Sequence, residues 1–289
     1  MKKVSAKFSL EKRKAIAGWG FISPWIIGFA LFLAYPFIKS ISMSFSKITD
    51  ISTLDSVFVG FNNFLYAFTV DINFLPMFLK TVTSTLIWTP VIVIFSLFIA
   101  VLINGKIRGK AIFKSIFFLP VLLGNGFVLK QLLDMGITGT NGIITIPESF
   151  YQITGSLVGD IILNFIGQLT VILWKSCIQI VLFLAALQSV PEPLYESARV
   201  DAASEWVIFW KITLPMISPI VLLNCIYTLI DFFRDISNPI VGYIIQNGVK
   251  SLNYSYGAAM GWIYFLFIFV VVITVFAGMR KLIFYGGEK

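Results

Sequence analysis

Asn224, Thr228, Asp231 and Asp235 follow one another at steps of four, three and four inside an apolar stretch, with Tyr227 beside them. On a helix those steps place them on one face. Amide, hydroxyl, phenol and carboxylate groups together can hydrogen-bond the hydroxyls of a sugar. A second ladder, Asn164, Gln168, Lys175 and Gln179, follows steps of four, seven and four. Lys175 is the most deeply placed charge, and a lysine at a helix centre costs about 2.5–3.5 kcal/mol on insertion scales, so it calls for a partner or water. Asp231 and Asp235 are its candidate partners. A structural role suits both ladders equally: the amides and Thr228 bond neighbouring helices, Lys175 joins an acid across helices, and Asp231, Arg234 and Asp235 sit at a membrane interface. Trp88, Trp174, Tyr227, Trp262 and Tyr264 can stack on sugar rings, and each also suits plain packing.

Other chemistry is excluded. The chain has no histidine, which removes imidazole acid–base work, imidazole–zinc sites and the Ser-His-Asp triad. No G-x-x-x-x-G-K-[ST] loop is present, so ATP has no P-loop here. Cys177 and Cys225 both lie in apolar stretches and make no disulfide framework.

The elements that must carry these ladders follow from composition. Of 289 residues, 58% are hydrophobic and 12% charged, whereas soluble domains carry about 25% charged residues. This composition predicts an all-α, polytopic membrane protein, one domain over residues 1–289. Apolar stretches predict about six transmembrane helices, near 19–45, 82–103, 112–132, 161–187, 216–233 and 257–279, since about 20 residues span a bilayer. Residues 1–17 are basic and lead into a stretch too long for a cleaved signal core. Residues 47–79 are mixed, with turns and one short interfacial helix expected. Pro120, Gly124 and Gly126 make the third span the least regular, as suits a helix lining a cavity. With six spans both termini share a side; that side, counted with the 104–114 turn and the 189–215 loop, carries fifteen Lys and Arg against six opposite. Both termini are therefore expected in the cytoplasm, and the net charge of +8 needs no nucleic acid to explain it.

The loop at 189–215 is the longest water-compatible segment between spans, with Glu192, Glu196, Arg199, Asp201, Glu205 and Lys211. Pro193 can open a helix, and Glu196 would then suit the first turn and the helix dipole. Leu194, Ala198 and Val200–Ala202 give a small-residue face; taken alone, the segment equally suits an amphipathic connector on the membrane. Glu196, Ala198, Asp201, Ala203 and the Ile212-x-Leu214-Pro215 ending resemble the EAA loop of permease subunits in binding-protein-dependent ABC importers. Ser197 replaces one alanine of that pattern. Ala202 stands where the family carries glycine to turn between two short helices. An alanine at positive φ costs about 1–2 kcal/mol, so either a right-handed turn or one continuous helix is expected here.

The opening, Phe21-Ile22-Ser23-Pro24 with Tyr35-Pro36 and Ser42-Met43-Ser44-Phe45, resembles carbohydrate-type permeases of the larger maltose and glycerol-phosphate class. That resemblance implies a non-catalytic subunit without a cofactor of its own, in the cytoplasmic membrane of a bacterium or archaeon. It implies a second permease as heterodimer partner, two ATPases holding ATP and Mg, an extracytoplasmic solute-binding protein and a carbohydrate substrate. Glu196 is the implied docking acid, with Ser197, Ala198, Asp201, Ala202, Ala203 and Pro215 around it. Lys175, Gln179, Asn224, Tyr227, Thr228 and Asp231 are the candidate pathway residues. Two other readings are a self-sufficient secondary transporter or channel, whose halves should show matching interrupted helices, and a polytopic lipid-modifying enzyme, for which no paired acidic motif is present.

Overall fold

A computed structural model describes residues 10–50, 55–105, 156–235, 238–281 and 283, with 156–171 described by backbone alone. The expected third span, most of the loop that follows it and nine of the 21 basic residues counted for orientation lie outside these stretches. Five of the described stretches are long and apolar enough to cross a membrane: Lys14–Ser44, Phe74–Asn104, Ile172–Ser189, Glu205–Arg234 and Tyr254–Arg280. A 31-residue helix such as Phe74–Asn104 is about 46 Å long at 1.5 Å per residue. That exceeds a hydrocarbon core of about 30 Å, so the spans run past it or tilt.

The first span comprises α1 (Leu10–Phe29), a widened turn at Ala30–Ala34 and α2 (Tyr35–Ser44). The stretch expected as the fifth span has the same plan: α7 (Glu205–Ile208), a widened turn at Phe209–Thr213 and α8 (Leu214–Arg234). Each widened turn ends two residues before a proline, Pro36 or Pro215. Proline has no N–H for the carbonyl four residues back and its ring crowds that carbonyl. A π-helical turn moves the carbonyl aside without ending the helix. The fifth span therefore begins near Glu205, well before the expected start at Met216.

Packing divides the chain into two units. One comprises Met1–Leu75 with Tyr243–Phe265. Residues 46–79 contain more than the expected turns and helix. Strands β1 (Ser46–Asp50) and β2 (Asp55–Phe58) pair antiparallel before α3 (Asn62–Thr69). The Asn63 amide donates to the carbonyls of Ser44 and Ser46, both at 2.9 Å, which fixes the hairpin to the end of α2. Asp71 precedes α4 (Phe74–Asn104) and accepts from the N–H groups of Asn73 (2.9 Å) and Phe74 (3.1 Å). It also accepts from the hydroxyls of Tyr243 (2.9 Å) and Tyr256. Burial opposes ionisation of Asp71, but these four donors outweigh it and hold the carboxyl below its ordinary range. After α9 (Pro239–Ile245), at the start of α10 (Tyr254–Arg280), a Cβ on Gly257 would lie 2.3 Å from the Gly248 Cα, so only glycine permits that crossing.

The other unit comprises Pro76–Gly242 with Leu266–Lys289. Its core joins α4, α5 (Ser156–Ser189) and α8 through Val93, Phe183, Leu187 and Ile217. One face of α4 is buried at Thr81, Thr85, Thr89, Ser96 and Ala100. The opposite face, Ile87, Val91, Ile94 and Phe98, is exposed and suits lipid. Small hydroxyl residues on the buried face let helices approach closely.

Candidate coupling and pathway sites

The 189–215 loop forms a helix, a stop and a second helix that continues as a span. Helix α6 covers Glu192–Val200, with Pro193 in its first turn. Glu192, rather than Glu196, occupies the first turn, so Glu192 has the favourable place on the helix dipole. Glu196 lies one turn on, exposed. The stop differs from both expected geometries: Ala202 has φ of +57°. The turn is left-handed, as glycine would make it, and the helices are separate. The Ala202 N–H donates to Arg199 O and the Ala203 N–H to Ala198 O, both at 3.0 Å. These two bonds satisfy helix-end carbonyls in a Schellman stop, which offsets the strain of an alanine there. Ser204 then caps α7, accepting from Val207 N–H at 3.4 Å. Arg199 and Glu205 meet across the stop at 3.2 Å, but both are exposed and such a pair contributes at most about 1 kcal/mol.

Ser197, Asp201 and Ala202 are exposed with Glu196, while Ala198 and Ala203 are half-buried. Helix α6 thus presents acid and small side chains outward, as a docking surface requires. Tyr195, which the sequence reading passed over, turns inward: its hydroxyl lies 3.2 Å from that of Thr213. Pro215, half-buried, stands at the start of α8 directly after the widened turn.

The candidate pathway residues come together where α5 meets α8. The Gln179 amide donates to the Thr228 hydroxyl at 3.0 Å, and Thr228 donates to Asn224 O at 2.7 Å. The Asn224 amide donates to Gln179 O at 3.5 Å. All three side chains are no more than 1% exposed. The amide oxygens of Gln179 and Asn224 and the Thr89 hydroxyl have no partner among the described residues. A buried acceptor without a donor costs about 1–3 kcal/mol, so this seam is closed at some expense. Further along, Lys175 Nζ bonds the Asp235 carboxylate and lies 4.0 Å from Asp231 and 4.7 Å from the centre of the Phe232 ring. Asp231 also meets Arg234 at 3.8 Å. Two cations and two carboxylates balance within this cluster. Tyr227 and Asp231 are half-buried. Side-chain surroundings of Asn164 and Gln168 lie outside the described residues. The hydroxyl ladder of α4 was also missed, although its four-residue repeat, Thr81, Thr85, Thr89, is visible in the sequence. Thr81 donates to Asn238 at 2.5 Å.

A model of the family described as the binding-protein-dependent transport system inner membrane component matches residues 72–283. The chain belongs to this family. The matched region holds the loop at 189–215 and both polar ladders. A probable ABC transporter permease protein, YesP of Bacillus subtilis, is 29% identical over 96% of this chain and 95% of its own length. The arabinooligosaccharides transport system permease protein AraP of Halalkalibacterium halodurans is 28% identical, over 94% of this chain and 90% of its own. The multiple sugar-binding transport system permease protein MsmF of Streptococcus mutans is 27% identical, over 88% and 92%. Among solved structures, a chain of a bacterial ABC transporter involved in import of the acidic polysaccharide alginate aligns with a TM-score of 0.65. It covers 94% of this chain and 97% of its own at 20% identity, a likeness of fold alone. A family fold of membrane helices accords with the five described spans.

Proposed function

We propose that this permease is the membrane-spanning subunit of an ATP-driven importer for a carbohydrate, delivered by an extracytoplasmic binding protein. The whole chain, 1–289, acts as one transmembrane domain with six spans and both termini in the cytoplasm of a bacterial or archaeal host. A second permease completes the pathway as a heterodimer, and two ATPases supply the ATP and Mg chemistry. The relatives' arabinooligosaccharide and multiple-sugar systems support the carbohydrate assignment.

The observation that carries the reading is the α6 stop. A short helix closed by a Schellman turn at Ala202 leaves Glu196, Ser197, Asp201 and Ala202 in water as a surface for the ATPase. Ala198, Ala203 and Pro215 join that surface to the fifth span, which continues from α7 without a break. Movement of the ATPases then rocks the spans between outward- and inward-facing arrangements. Lys175, Gln179, Asn224, Tyr227, Thr228 and Asp231 form the substrate pathway where the α5–α8 seam opens. The unpartnered oxygens of Gln179 and Asn224 support that assignment, because sugar hydroxyls are donors. The Lys175–Asp235 pair also ties α5 to α8 within the same seam.

The test is uptake by proteoliposomes containing this chain, its partner permease and the ATPase. Labelled oligosaccharide should accumulate only with internal ATP and external binding protein. Accumulation driven by an ion gradient, without ATP, would replace this reading with a self-sufficient secondary transporter.

A further inference from the structure

Helix α6 has few attachments to the rest of its unit. Tyr195 and Ala198, one turn apart, are its half-buried residues; the others are exposed. Beside it Leu194, Lys211, Ile212, Pro215 and Met216 line an open groove of about 420 Å³. Displacement of α6 reaches the span through the chain at 201–204 and through side chains that cross this groove. The Tyr195 ring packs against the core that includes Ile217, and its hydroxyl meets Thr213 at 3.2 Å. Thr213 is 6% exposed, and its own hydroxyl is directed at Ile208 O, 3.5 Å away. Either hydroxyl can donate in the Tyr195–Thr213 bond. Thr213 closes the widened turn at 209–213, and α8 follows it directly.

We propose that Tyr195 is a positioning residue, a strut that passes displacement of α6 to the fifth span through the Thr213 hydroxyl. The inference rests on the coupling role proposed for this loop. The chain at 201–204 and the exposed Arg199–Glu205 pair also tie α6 to α7; the Tyr195 hydroxyl makes the side-chain bond that reaches the widened turn from α6 among the described residues. The strut thus sets how tightly ATP turnover is joined to transport, separately from whether the ATPase docks. Glu196 and its neighbours face outward and do the docking; Tyr195 faces inward.

The experiment uses the reconstituted complete importer and measures solute moved per ATP hydrolysed, together with ATPase retention on purification. Tyr195→Phe keeps the ring and removes only the hydroxyl. It should retain the ATPase and its hydrolysis while transport per ATP falls about fivefold, the factor for losing one net hydrogen bond. Thr213→Val should match it, and the double variant should be no worse than either single one, because both remove the same bond. Wild-type coupling in Tyr195→Phe overturns the proposal. So does loss of the ATPase from that variant, which would assign the hydroxyl to docking. Failure of the wild-type complex to hold any ATPase would instead sink the coupling role on which the strut rests.

Discussion

Ala202→Gly should tighten the end of α6. At φ +57° an L-residue suffers a clash between Cβ and the neighbouring carbonyl worth about 1–2 kcal/mol. Glycine lacks the clash but has more freedom to lose, at about 0.5–1 kcal/mol relative to alanine. The difference spans about 0–1.5 kcal/mol in favour of glycine, with a middle value of about 0.75 kcal/mol. It falls on the two bonds that close the stop, Ala202 N–H to Arg199 O and Ala203 N–H to Ala198 O. Amide exchange at those positions reports local opening, so it should slow by about two- to fivefold in the glycine variant. Hydrogen–deuterium exchange on peptides covering 196–206, with the importer in detergent, measures this directly. Ala202→Val should move the other way, since a β-branched residue at positive φ is a steric outlier. Faster exchange in Ala202→Gly, or no effect of valine, would refute the left-handed stop as the determinant of stability here.

Replacing Lys175 by Met removes the cation between Asp231 and Asp235. A fully buried pair broken this way costs about 3–5 kcal/mol, and partial exposure of this one reduces the expectation to about 1–3 kcal/mol. Lys175→Met/Asp235→Asn should recover most of the lost thermal midpoint; additive losses would show that the two do not interact. Asp71 gives a pH dependence whose sign is fixed by its lowered carboxyl. Its stabilising contribution is fully present above the ordinary value of 3.8 and is lost as pH falls through the lower folded value. Unfolding midpoints should therefore drop below about pH 4 in the wild type. The drop should be smaller in Asp71→Asn, and an equal drop in both would assign the acid sensitivity elsewhere.

The helical membrane class was legible because apolar runs of span length have no other stable place. The 189–215 loop was legible as a segment apart from the spans because its charges interrupt those runs. The hairpin at 46–58 was not, because strands of four or five residues give too short an alternation to stand out. Its pairing also depends on a distant anchor, Ile48 N–H to the Ser255 hydroxyl at 3.1 Å. Ala202 misled the reading because propensity is a local argument. Here two backbone bonds and a capped helix on the far side impose a conformation that alanine alone would avoid. The fifth span's early start was hidden by Pro215, which reads as a boundary but is absorbed by one widened turn. Lys175 was correctly suspected of needing an acid, and the choice between Asp231 and Asp235 required the helix crossing. Tyr195 gave no signal, since an aromatic in an amphipathic helix is ordinary until its partner at Thr213 is seen.

The central claim is that α6 docks a separate ATPase. Co-purification of this permease with its candidate ATPase, comparing wild type with Glu196→Lys, tests it most directly. A stable complex in wild type and its loss on charge reversal is the expected result. Absence of any ATPase from the wild-type protein, under conditions that preserve other membrane complexes, would contradict it.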